Sequence, residues 1–90
     1  MESPNKNTIV EFLREWLLHL DTLEGPVELD RGLEELGLDS LSIADLSVAV
    51  RKSFQVEIKP SEINPYATVD EVAEMILKAT AQHHSIVHNP

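Results

Sequence analysis

The sequence predicts an all-α protein: a small four-helix bundle with three longer helices, one short helix and a long first loop. Three observations carry that expectation. Three stretches repeat apolar residues at helical intervals, and each is preceded by a residue suited to helix N-termini. The one strand-like alternation, Val56-Glu57-Ile58, is too short to stand without a partner strand that the chain does not offer. Ninety residues make one domain with a modest single core.

Residues 1–7, Met-Glu-Ser-Pro-Asn-Lys-Asn, are polar and unpatterned and are expected to form a flexible N-terminal segment, with the folded domain spanning 8–80. Thr8 and Glu11 have capping-box spacing, and Ile9, Phe12, Leu13, Trp16, Leu17 and Leu20 recur at helical intervals, so the spacing predicts a first helix over about 8–20. Residues 21–37 are too many for a structureless connection in so small a domain. Val27, Leu29, Leu33 and Leu36 are expected to pin this segment across the helices, with a turn near Leu33. From Ser40 to about Ser53, capped by Asp39, two neighbouring apolar stripes, Leu41-Ala44-Val48 and Ile43-Leu46-Val50, predict a second helix whose end Phe54 anchors. Gln55 to Pro60 reads as extended, because a residue before proline is pushed out of helical geometry, and Ser61 to Asn64 as one short helical turn. Thr68 with Glu71 then opens another capping box. Val69, Val72, Ala73, Ile76 and Leu77 form the inward stripe of a last helix over about 69–80. The apolar period ends there, so 81–90 is expected to be a flexible tail.

Seven Lys and Arg against sixteen Asp and Glu give a net charge of −9, which opposes binding to nucleic acid or an anionic membrane and favours partners with basic docking surfaces. A well-solvated surface explains the same charge. The chain has no cysteine, which excludes disulfides, thiolate nucleophiles and Cys-based zinc sites. With no basic-then-apolar leader at the N-terminus, a reducing cytoplasm is the expected compartment. No apolar run approaches the ~20 residues that cross a bilayer. His84 and His88 have the i, i+4 spacing of helical metal ligands, but they fall in the polar tail and no metal site is expected. A chain this small rarely encloses a deep pocket, so no catalytic residue is expected and the protein is read as a non-enzyme and a monomer.

The informative run is Glu35-Leu36-Gly37-Leu38-Asp39-Ser40-Leu41, which sets a serine where a glycine-containing loop meets the start of an apolar-periodic helix. A hydroxyl there lies beside unpaired backbone N–H groups and the positive end of the helix dipole, an environment that welcomes an esterified phosphate. Two readings fit these residues: Asp39 and Ser40 simply start the helix, or Ser40 is an attachment point.

The wider constellation resembles an acyl carrier protein. The Asp39-Ser40-Leu41 triplet, preceded by Leu36-Gly37-Leu38, is the most specific element of that likeness. Asp45, Leu46 and Phe54, then Val56, Ile58 and the Ala67-Thr68-Val69 entry to the last helix, extend it over about residues 8–79. The resemblance implies an acyl-carrier-like bundle and a 4'-phosphopantetheine arm, derived from coenzyme A and esterified to Ser40 by a magnesium-dependent phosphopantetheinyl transferase. It also implies acyl groups held as thioesters on the arm and passed to an acyltransferase, a ketosynthase or other acyl-processing enzymes. A chain without cysteine must take its thiol from such a group. Asp39, Leu41, Ile43, Ala44, Asp45, Arg51 and Lys52 are then the candidate docking residues, with Asp39 placed to cap the helix and to help recruit the transferase's cation.

One departure bears on the pathway. Carriers of fatty-acid synthesis usually have a second helix rich in acidic residues, whereas here Ser42 and Ser47 dilute the charge and Arg51 with Lys52 reverse it. The chain therefore looks more like a carrier of polyketide or mixed polyketide-peptide biosynthesis. A fatty-acid carrier and an acidic helical interaction module without a prosthetic group are the other readings. An esterase reading fails on the residues: Leu38 interrupts the Gly-Asp-Ser-Leu signature, and no glycine follows at the position a nucleophile elbow requires.

Overall fold

The computed structural model describes the backbone of residues 4–88 and the side chains as far as residue 81. Among these residues it has three α-helices, α1 (Lys6–Leu18), α2 (Ser40–Phe54) and α3 (Val69–His88), and one short 3-10 turn at Pro60–Glu62. The fourth element of the expected bundle is thus a single turn. Among the described residues the β structure is limited to an isolated bridge between Gly32 and Thr68.

α1 begins two residues before the expected start. Asn5 is its cap: the Asn5 side-chain oxygen accepts from the Thr8 backbone N–H at 2.8 Å and from the Thr8 hydroxyl at 3.0 Å. Asn5 and Thr8 are competing caps in one polar run, and asparagine is the stronger of the two. Lys6 and Asn7, read from sequence as part of the flexible segment, therefore belong to the helix. The Lys6 ammonium reaches Asp70 at 2.7 Å and Glu74 at 2.8 Å, joining the first turn of α1 to the first two turns of α3. At the other end α1 stops at Leu18 with His19 as its cap, and Leu20 packs on the core from the following turn.

The long loop is held by backbone hydrogen bonds to the entry of α3. Leu33 N–H donates to Ala67 C=O at 2.9 Å, Glu34 N–H to Pro65 C=O at 3.0 Å and Val69 N–H to Arg31 C=O at 3.1 Å. Arg31 closes the loop on itself, its guanidinium donating to the carbonyls of Glu24, Pro26 and Glu35. Leu33 and Leu36 are buried as expected, while Leu29 remains 37% exposed.

Ile9, Leu13 and Leu17 of α1, Ile43, Leu46 and Val50 of α2, and Val69, Val72 and Ile76 of α3 meet the loop leucines in one core. Phe54 anchors the end of α2 edge-on against Phe12, with ring centroids 5.0 Å apart. Val56 and Ile58 are buried and Glu57 exposed, so the alternation exists as an extended segment without a partner strand. The second capping box forms as expected. Thr68 N–H donates to the Glu71 carboxylate at 2.8 Å and Glu71 N–H to the Thr68 hydroxyl at 3.1 Å.

α3 continues eight residues beyond the expected end. No glycine or proline interrupts the chain between Val69 and Asn89, so the backbone ladder runs on where the apolar period has ceased. Residues 1–3 and 89–90 of the expected flexible ends lie outside the described residues, as do the side chains of His84 and His88.

Candidate functional site

Gly37 turns the loop toward α2 with φ at +99°, a region that disfavours side chains. The Thr22 hydroxyl donates to its carbonyl at 2.9 Å, and a Cβ at Gly37 would sit 2.1 Å from the Thr22 carbonyl oxygen. The chain then extends through buried Leu38 to Asp39, the cap of α2. The Asp39 carboxylate accepts from both the Ser42 backbone N–H at 2.9 Å and the Ser42 hydroxyl at 3.0 Å. Those two bonds hold its carboxyl below the usual carboxylate range, the backbone one contributing most.

Ser40 is the first residue of α2, exposed to solvent, and its hydroxyl takes no part in the Asp39 cap. The first turn of a helix leaves backbone N–H groups without intrahelical acceptors, so an anion at this hydroxyl meets hydrogen-bond donors and the positive end of the dipole. Ser42 is tied into the cap. Ser47, read from sequence as diluting the charge of the second helix, is buried, and its hydroxyl donates to the Ile58 carbonyl. Of these three serines, Ser40 alone is exposed.

The other candidate residues divide by face. Leu41 is 76% exposed, Asp45, Arg51 and Lys52 are exposed, and Ala44 is half-buried. Together with Val48 they form the solvent side of α2. Ile43 departs from the sequence reading: at 6% exposure it belongs to the core and is closed to a docking partner. A helix with two apolar stripes can turn only one of them inward, and the stripe carrying Leu46 and Val50 took that place.

Two depressions border α2. One of about 450 Å³ opens between the end of α1 and the start of α2, and is lined by Trp16, Leu20, Thr22, Asp39, Leu41 and Asp45 among others. The second, about 230 Å³, lies farther along α2 against the extended segment, where Ala44, Val48, Arg51, Ile58 and Lys59 line it. The spacing gave no signal for the first. It arises where the last turn of α1 meets the loop and α2, and Trp16 reads in sequence only as part of an apolar stripe. Among the described residues no group of His, Cys, Asp or Glu is arranged to hold a metal ion, and no helix is long and apolar enough to cross a membrane.

Residues 8–76 match the family described as "Phosphopantetheine attachment site". The acyl carrier protein of Aster yellows witches'-broom phytoplasma (strain AYWB) is 37% identical over 65 residues, covering 71% of this chain and 83% of that protein. The acyl carrier protein of Campylobacter concisus (strain 13826) is 37% identical over 46 residues, 51% of this chain and 60% of that protein. A triacetic acid lactone synthase of Aspergillus versicolor is 32% identical over 56 residues, 62% of this chain, which spans only 3% of that synthase. No solved structure matches.

Proposed function

Because the chain belongs to the phosphopantetheine attachment site family, we propose that Ser40 is the residue that bears the prosthetic arm. The group is a covalently attached 4'-phosphopantetheine, and the role it serves is acyl carriage. When bound, it supplies the thiol on which acyl groups travel as thioesters, a chemistry that a chain without cysteine lacks. The carrying observation is the geometry of Ser40: an exposed hydroxyl opening α2, beside a cap whose carboxylate is already engaged by Ser42. Asp39 fixes the turn, Gly37 lets the loop approach it, and the α2 N-terminus offers N–H groups to the phosphate oxygens.

The solvent side of α2 is the docking surface in this reading. It presents Asp39 and Asp45 near Ser40, Leu41 and Ala44 between them, and Arg51 and Lys52 in the last turn. A phosphopantetheinyl transferase, an acyltransferase and a ketosynthase must all approach Ser40, and the helix running from it is the surface they share. A charge pattern that changes sign along one helix sets partner choice more than affinity. That reversal supports a carrier of polyketide or mixed polyketide-peptide biosynthesis, and so does the likeness to a segment of a triacetic acid lactone synthase.

Incubation with a phosphopantetheinyl transferase, magnesium and coenzyme A, followed by intact mass measurement, tests the function. The expected result is a gain of one arm per chain, followed by a further gain when an acyl group is loaded on the thiol. A chain that stays at its starting mass with a transferase active on another carrier contradicts it.

A further inference from the structure

We infer that the cleft between the end of α1 and the start of α2 is a resting site for the pantetheine portion of the arm, an inference that rests on the attachment reading above. Position is the first argument. Asp39 and Leu41, the neighbours of Ser40 on either side, both line the cleft, so it opens directly beside the attachment point. The smaller groove begins only at Ala44, a full turn farther along α2.

The lining suits that ligand. Trp16, Leu20 and Leu41 offer apolar surface to the paired methyl groups of the pantoyl unit. Asp21, Thr22 and Asp45 offer acceptors to its hydroxyl and its two amide N–H groups. Three carboxylates on the wall repel a phosphate, so the phosphodiester stays at the mouth against the α2 N-terminus while the uncharged portion enters. The volume, about 450 Å³, falls within the range of small-molecule sites. Leu41 is the largest exposure among the apolar side chains of α2, and an arm lying in the cleft covers it.

The test uses isotope-labelled protein before and after loading, with intact mass confirming one arm per chain. Trp16 is the chain's sole tryptophan, so its indole N–H gives a single assignable signal. Loading should shift that signal and produce nuclear Overhauser contacts from the arm's methyl protons to the Trp16 ring and the Leu20 methyls. Leu41→Ala, a change at an exposed position, should keep the dispersed spectrum of the parent and weaken those contacts severalfold. A loaded protein with no contact to Trp16 or Leu20, with contacts to Val48 and Ile58 instead, or with parent-strength contacts in Leu41→Ala, overturns the inference and leaves the attachment reading intact. Failure to gain the arm's mass overturns the attachment reading and the inference with it.

Discussion

Gly37 and Asp39 divide the work of presenting Ser40. With φ at +99° and the Thr22 carbonyl oxygen 2.1 Å from where a Cβ would stand, Gly37 has room for no side chain. Gly37→Ala should cost about 1–3 kcal/mol of backbone strain and slow arm transfer even when the chain is fully folded. Denaturant midpoints and loading rates check both, and an unchanged midpoint contradicts the strain. Asp39 acts through its charge: Ser42 donates to it twice and holds its carboxyl below the ordinary range, so the folded state favours the ionised form. That stabilisation is complete at neutral pH and disappears as pH falls through the carboxylate range. Asp39→Ala should therefore melt below the parent at neutral pH, and the gap should close on acidification; a gap independent of pH contradicts the assignment. The Asp39 cap and the exposed Ser40 were legible in the sequence because both follow from a few adjacent residues. The α1 cap was not, since Asn5 and Thr8 compete within four residues and Asn5 won.

At the scale of elements, the faces of α2 decide which residues hold the fold and which stay open to solvent. Ile43→Ala should cost about 2–5 kcal/mol, because it empties a buried position in the core. Leu41→Ala should change stability by no more than about 0.5 kcal/mol, its side chain being 76% exposed. Chemical denaturation of the two variants checks the contrast, and equal losses would mean that both stripes are structural. Sequence periodicity placed α2 within one residue of its observed end but could not say which of two adjacent stripes faces inward. That choice depends on the Phe54–Phe12 contact and on the Ser47–Ile58 hydrogen bond, both tertiary. The cleft at Trp16 was illegible for the same reason, being assembled from α1, the loop and α2. The end of α3 lies beyond the expected one because the spacing was read to the last apolar-periodic residue, whereas no glycine or proline stops the backbone before Asn89.

The whole molecule carries −9 on 90 residues, and among the described residues its ion pairs are those of Lys6 with Asp70 and Glu74. The long loop alone contributes Asp21, Glu24, Glu28, Asp30, Glu34 and Glu35 against Arg31, so like charges crowd the approach to α2. Moderate monovalent salt should raise the melting temperature by screening that repulsion over about a Debye length, ~10 Å at 0.1 M. A melting temperature flat across ionic strength contradicts the repulsion. Within this acidic surface the central claim concerns one oxygen atom: the hydroxyl of Ser40 is the point at which the folded chain receives its arm. Intact mass after exposure to transferase and coenzyme A, measured on the parent, Ser40→Ala and Ser42→Ala, tests it most directly. The parent and Ser42→Ala should each gain one arm while Ser40→Ala, still helical, gains none; an arm on Ser40→Ala would contradict the account.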